Sequence, residues 1–210
     1  MFISFEGIDG CGKSTQVSRF AATLRSRGIR VLVTREPGGT KIGKGIRDIL
    51  LRAENIHLAP LAELFLYAAD RAQHVAEVIR PALEAKKWVV CDRFFDATTV
   101  YQGLSLEGYD RLIEAVNREI TLGCQPDLTF LLDCPAEVGL ERIATRHRRR
   151  KDRDRFERKA LDFHIKVRYG YLTLANRYKD RFRIIDSTVA ADRVEKRIRE
   201  IIDPYLPSKP

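Results

Sequence analysis

No run of about 18 apolar residues occurs in this chain of 210 residues, so nothing in it reads as a membrane-spanning helix. Cysteine is scarce. The four thiols, at 11, 91, 124 and 134, show no metal-ligand spacing and lie in or beside apolar runs and a glycine-rich loop. They are therefore expected to be reduced thiols of a cytoplasmic protein. There is no internal repeat and no linker-like stretch, and the length suits one domain, 1–210, with a substantial core. Apolar residues make up 44%, which excludes a disordered chain on composition. The first residues already read as a strand, so no signal peptide is expected. No stretch of the Asn-Lys-x-Asp type is present to read a guanine base, which argues against a GTPase switch.

Acidic residues are also in deficit. The formal net charge is +9, which would suit a nucleic-acid partner if the charge were spread over a surface. It is not spread. From Arg142 to Lys159 there are ten Lys/Arg against three Asp/Glu, a local excess of +7, which leaves +2 for the rest of the chain. No aromatic residue interleaves this run before Phe156, so no base-stacking platform is visible. One phosphate-handling element accounts for the basicity, and no nucleic-acid or membrane partner is expected.

What is present begins with Gly7-Ile8-Asp9-Gly10-Cys11-Gly12-Lys13-Ser14, which fits the Walker A pattern GxxxxGK[ST] at every fixed position. The apolar run Met1–Phe5 precedes it, and Val17, Phe20, Ala21 and Leu24 follow at helical spacing, closed by Gly28. Glycines at 7, 10 and 12 let successive backbone N–H groups turn inward at a helix N-terminus, which makes an anion-binding hollow. Lys13 then reaches the outer phosphates of a nucleoside triphosphate, and the Ser14 hydroxyl serves as a Mg²⁺ ligand.

Further strands are expected at Ile29–Thr34, Trp88–Cys91, Asp127–Asp133 and Phe182–Ile185. Between them lie helical patterns, the longest over Pro60–Lys86, where Pro81 should bend the last turns. Residues 203–210, with three prolines, should be irregular. Alternating short strands and helices predict an α/β fold, a five-stranded parallel sheet with helices on both faces. Ligands in such folds bind beyond the C-terminal strand ends. The glycine loop, the Arg35–Thr40 loop and Asp92-Arg93 all lie there. At a strand end beside the phosphate loop, Asp92 suits Mg²⁺, directly or through water, and Arg93 suits a second phosphate.

Five segments occur in one order: Phe5 to Thr15; Thr34-Arg35-Glu36-Pro37-Gly38-Gly39-Thr40; Asp92-Arg93-Phe94; Tyr101-Gln102-Gly103; and Asp152 to Glu157. Together they resemble the thymidylate kinase family, over the chain from the first strand to about Ala175. The resemblance implies the P-loop nucleoside monophosphate kinase fold, transfer of phosphate from ATP to dTMP to give dTDP, Mg²⁺, and a homodimer. It places Gly7, Ile8, Asp9, Gly10, Cys11, Gly12, Lys13, Ser14, Thr15 and Arg142 on the ATP side. It places Asp9 near the sugar 3′-hydroxyl of dTMP, Tyr67 on the face of the base, Arg71 on its edge, and Arg93 on the dTMP phosphate. Thr98, Tyr101 and Gln102 line the pocket, and Arg35, Glu36, Pro37 and Arg47 lie on the acceptor side. Tyr67 and Arg71 are one helical turn apart, so both can face one cleft, and a ring with a fixed donor fork suits a nucleobase.

Two departures stand out: Tyr67 where the family usually has Phe, and Phe94 where a Tyr or His is commoner. The family's lid arginine falls on Arg150, beside Arg149 and Arg153, within a short basic lid of about 146–157. Since the glycine loop has Gly10 where some members carry a catalytic arginine, Lys13 is its only cation, and the lid is expected to supply another. Two rival readings remain at this stage. One is a different P-loop nucleoside or nucleotide kinase, such as a deoxynucleoside kinase. The other is a nucleic-acid-binding ATPase, whose affinity would fall steeply with salt.

Overall fold

The computed structural model of the chain describes residues 1–55, 57–146 and 154–206. Its centre is β1 (Phe2–Glu6), buried along its whole length. Such a strand needs cover on both faces. Phe5 packs its ring 5.7 Å from Phe20 of α1 (Lys13–Ser26) on one side of the sheet. Phe2 turns to the other side and meets Phe94 at 4.9 Å, in a cluster with Val75, Ile79, Val89 and Cys91.

Parallel pairing puts β1 between β3 (Trp88–Asp92) and β4 (Leu128–Asp133). With β2 (Val31–Arg35) and β5 (Phe182–Asp186) at the edges, the order is β2-β3-β1-β4-β5, parallel throughout. Helices cover both faces. α9 (Ala191–Ile202) packs beside α1, and α8 (Leu161–Arg177) lies on the opposite side, where Tyr171 meets Glu6. The remaining helices are α2 (Lys41–Leu51), α3 (Pro60–His74), α4 (Arg80–Glu84), α5 (Phe95–Ser105), α6 (Asp110–Thr121) and α7 (Ala136–Arg146). This is the expected α/β architecture with its five strands.

Boundaries differ from the expectation where backbone groups are spent elsewhere. The second strand begins at Val31 rather than Ile29, because the Gly28 and Ile29 N–H groups close α1 on the carbonyls of Arg25 and Leu24. The long helix from Pro60 divides. Its break is a π turn at Val75–Ile79, one turn before Pro81, where the proline ring would crowd the carbonyl four residues earlier. After α9, Asp203–Tyr205 makes one 3₁₀ turn; residues 207–210 lie outside the described residues.

The register sets the site. Phe5 pairs with Asp92, and Asp92 pairs with Arg35, so the loops after β1, β2 and β3 leave the sheet side by side.

Candidate active site

The loop after β1 is built for close approach. Gly7 and Gly10 hold φ of 136° and 78°, and a Cβ on them would lie 2.4 Å from Leu132 O and 2.1 Å from Gly139 O. Only glycine fits either position. Lys13 folds back over the loop, its Nζ donating to Ile8 O at 2.8 Å and Gly7 O at 3.1 Å. Ser14 Oγ donates to Asp92 Oδ2 at 2.7 Å. That pair brings a hydroxyl and a carboxylate from two strand ends to one point, and hard oxygen donors of this kind suit Mg²⁺. Phosphate oxygens and water complete such a site.

Arg93 is the junction. It sits at φ 70°, a left-handed conformation that costs about 1–2 kcal/mol outside glycine. Four bonds hold it there: Nη1 to Gly7 O (3.0 Å) and Tyr171 Oη (2.9 Å), Nη2 to Asp9 Oδ1 (2.6 Å) and Tyr101 Oη (3.1 Å). Burial pushes the Asp9 carboxyl up, but Arg93, Lys13 and His164 together outweigh it and hold the group down at about 2. Behind Arg93, Tyr171 Oη donates to Glu6 Oε2 at 2.8 Å, and the Phe94 N–H donates to Glu6 Oε1 at 2.7 Å. Burial, with Asp96 adding and Arg93 opposing, pushes Glu6 up to about 8.

Beside this junction lies a pocket lined by Tyr67, Arg71, Thr98, Tyr101, Gln102 and Phe156, with Phe94 and Ala97 below. Arg71, only 1% exposed, gives Nε to Glu36 at 2.7 Å, Nη1 to Asn117 at 3.0 Å and Nη2 to Thr98 at 2.9 Å. Its guanidinium also lies 5.4 Å from the centre of the Phe94 ring. Phe94 is thus a buried packing residue under the pocket rather than a polar contact. Tyr67 borders the pocket half-buried, and burial raises its phenol. Gln102 Nε2 donates to Glu63 Oε1 at 2.7 Å, and Arg155 donates to Glu63 Oε2 at 2.6 Å.

A second, more polar cavity extends over the glycine loop. It is lined by Gly10, Gly12, Lys13, Ser14, Thr15, Arg35, Asp92, Arg142 and Arg146. Asp9, Glu36, Arg47, Arg93 and Asp154 border both cavities. Arg47 donates to Pro37 O at 2.8 Å, and Arg142 donates to Ser187 O at 2.9 Å beside the loop that starts α9. Asp154 accepts from the N–H groups of Phe156 and Glu157, and burial beside Asp9 pushes its carboxyl up to about 6. Arg150, with Arg149 and Arg153, falls outside the described residues.

Most residues expected at the site surround two adjoining cavities: Tyr67, Arg71, Thr98, Tyr101 and Gln102 one, Gly10, Gly12, Lys13, Ser14, Thr15, Arg35, Asp92 and Arg142 the other. Gly7, Ile8 and Cys11 line neither; Gly7 and Ile8 instead lend their carbonyls to Lys13, and the Ile8 and Cys11 side chains are buried. Several that matter were not anticipated: Glu6, Glu63, His74, Asn117 and Tyr171. Arg155 was expected only as part of the basic lid; it is instead buried, donating to Glu63 and to Leu50 O. For His74 a signal existed. Tyr67, Arg71 and His74 recur at helical spacing, i, i+4 and i+7, and so share one face of their helix.

A glycine loop between a central parallel strand and a helix, with a second small-molecule pocket at the same sheet edge, defines the P-loop nucleoside monophosphate kinase fold. A family model described as thymidylate kinase matches residues 5–198. Similar proteins include the thymidylate kinases of Trichlorobacter lovleyi, 51% identical over 96% of each chain, and of Geobacter sulfurreducens, 50% identical over 99% of each. The crystal structure of thymidylate kinase from Ehrlichia chaffeensis superposes with a TM-score of 0.77 at 31% identity, covering 96% of this chain and 98% of that one. The chain belongs to the thymidylate kinase family.

Proposed function

We propose that this site catalyses ATP-dependent phosphorylation of dTMP to dTDP. A dTMP phosphate oxygen attacks the γ-phosphorus of ATP in line, the bond to the β,γ-bridging oxygen breaks, and ADP leaves. The observation that carries this reading is the shared wall of the two cavities. Asp9 and Arg93 face both the phosphate loop and the aromatic pocket, so an acceptor in one and a donor in the other meet at Arg93.

Catalysis is positioning and charge neutralisation, without a covalent intermediate. The backbone from Gly7 to Thr15 cradles the donor phosphates, and Lys13 swings from its own loop carbonyls to the transferring group. Ser14 and Asp92 would hold Mg²⁺, which when bound neutralises donor phosphate charge. Arg142 borders the donor base, and Arg93 grips the acceptor phosphate. Asp9 receives the sugar 3′-hydroxyl, Tyr67 stacks on thymine, and Arg71 reads its edge within a wall of Thr98, Tyr101 and Gln102. Glu36 and Pro37 shape that wall, while Arg35 and Arg47 complete the phosphate side. The chain works as one kinase domain, with residues 146–157 as a lid whose Arg150 meets the transferring phosphoryl group.

A coupled assay of ADP release with dTMP, UMP, dCMP and thymidine tests the reading. The highest kcat/KM is expected for dTMP; faster turnover of UMP would overturn the pocket assignment.

The working form we propose is a homodimer in the cytoplasm. Ile42 and Ile49 lie two turns apart on α2, Leu61 and Phe65 one turn apart on α3, and all four are exposed. Sedimentation of Phe65→Arg should show a monomer where the parent is a dimer. The four cysteines are free, which suits a reducing compartment. No helix among the described residues is long and apolar enough to cross a membrane.

A further inference from the structure

A side chain that discriminates one base from another must hold a fixed plane, and arginine loses rotamer entropy in holding one. Asn117 and Thr98 each take one terminal nitrogen of Arg71, and the third partner, Glu36, is itself held from a distance. Arg71 Nε meets Oε2 of Glu36 at 2.7 Å, and the other oxygen of the same carboxylate, Oε1, lies 2.8 Å from Nδ1 of His74. With both oxygens engaged, the Glu36 carboxylate cannot rotate away. The far nitrogen of the imidazole, Nε2, is 2.6 Å from Thr34 Oγ1. In a neutral ring only the tautomer with its proton on Nδ1 serves both contacts: the threonine hydroxyl donates to Nε2, and Nδ1–H donates to Glu36. Thr34 in turn sits in β2, paired with Cys91 of β3, so the chain of contacts ends in the sheet.

The loop that carries Glu36 is pinned by the same helix. The Gly38 N–H donates to Asp70 Oδ1 at 2.9 Å. A Cβ on Gly39 would lie 2.4 Å from the His74 ring, and one on Gly43 2.3 Å from Asp70 Oδ1. The loop therefore rests directly on His74 and Asp70. Glu36, Asp70, Arg71 and His74 are each at most 4% exposed. In so enclosed a setting, losing one contact is not repaired by water.

We propose that His74 is a positioning residue for acceptor recognition: through Glu36, and anchored by Thr34, it fixes the guanidinium of Arg71 in the plane that meets the base. This rests on the assignment of Arg71 to the nucleobase made above.

The test compares His74→Asn with His74→Gln. Asn places an amide N–H near the Nδ1 position and keeps the bond to Glu36. Gln reaches toward Nε2 and keeps only the contact with Thr34. His74→Gln should lose about tenfold or more in kcat/KM for dTMP, through KM rather than kcat, with the ATP KM unchanged and the dTMP-over-dCMP preference reduced. His74→Asn should stay within about threefold of the parent. Combined with Arg71→Gln, His74→Gln should add nothing further to the loss in kcat/KM for dTMP, as expected if it acts through Arg71. Thr34→Val removes only a hydroxyl from a strand and should remain folded; a rise of about threefold in the dTMP KM is expected.

Equal dTMP KM values for parent, His74→Gln and Thr34→Val would overturn the proposal, as would losses additive with Arg71→Gln. If Arg71→Gln raises the dTMP KM while the His74 variants do not, the relay fails and the base assignment stands. If Arg71→Gln itself leaves that KM unchanged, the base assignment fails and the relay fails with it.

Discussion

The two cavities are made by different means. Over the glycine loop the expected ligand groups are largely backbone N–H, and the flanking side chains Ser14, Thr15 and Arg35 are exposed. Around Tyr67 and Arg71 the walls are buried side chains, paired through chains of contact such as Gln102–Glu63–Arg155 and Thr98–Arg71–Glu36. Phosphate is the same in every nucleotide, so a general anion cradle at a helix end suffices. A base must be told from other bases, and that requires donors and acceptors set before the ligand arrives. The difference predicts that donor-side changes act on rate or ATP affinity without unfolding the protein. Acceptor-side changes should act on stability and recognition together.

The largest effect should come from Lys13→Ala. Single-turnover kinetics should show kcat lowered by about 10³-fold or more in a fully folded protein. A loss of less than tenfold would remove the loop from the mechanism. Next is Glu63→Ala, which leaves Arg155 buried without its carboxylate and should cost about 3 kcal/mol of folding stability. The urea midpoint reads this, and the dTMP KM should rise with it. Arg142→Ala sharpens the contrast: the ATP KM should rise about tenfold while stability moves by about 0.5 kcal/mol or less. An unfolding penalty for Arg142→Ala as large as that for Glu63→Ala would break the comparison.

The smallest expected effect is a pH slope from Glu6, which stands behind Arg93 between the two sides. Its carboxyl is raised from 4.5 to about 8, so the ionised form is the one penalised in the folded protein. Its contribution is fully present below pH 4.5 and is lost as pH rises through about 8. Denaturation midpoints at pH 6 and pH 9 should fall for the parent and stay flatter for Glu6→Gln. An equal fall in both assigns the slope to other groups.

The sheet and the phosphate loop were legible because their signals are local. Strand, glycines, lysine and helix follow one another within residues 2–26, and Asp92-Arg93 closes an unbroken apolar run. The buried relays were not legible, because each joins elements far apart in sequence: Arg71 with Asn117, Gln102 with Glu63, Arg155 with Leu50. Periodicity reports which face of its own helix a residue occupies, not what lies opposite. Helical spacing alone fits a solvated surface cation at Arg71 equally well, yet it is among the least exposed side chains described. The left-handed backbone of Arg93 left no trace in composition either, since the residue there is not glycine.

The placement of β1 bears on how the chain reaches this state. Phe2 finds its neighbour in Val89, and Ile3 finds its other neighbour in Leu128. The phosphate loop follows directly on a strand that has no hydrogen-bonding partner until β3 (Trp88–Asp92) exists and lacks its second until β4 (Leu128–Asp133), past the middle of the chain. On the ribosome, nucleotide affinity should therefore switch on late, when β4 has emerged, rather than grow with length. Until then the apolar N-terminal strand lacks a neighbour on at least one edge, which leaves it open to wrong pairing.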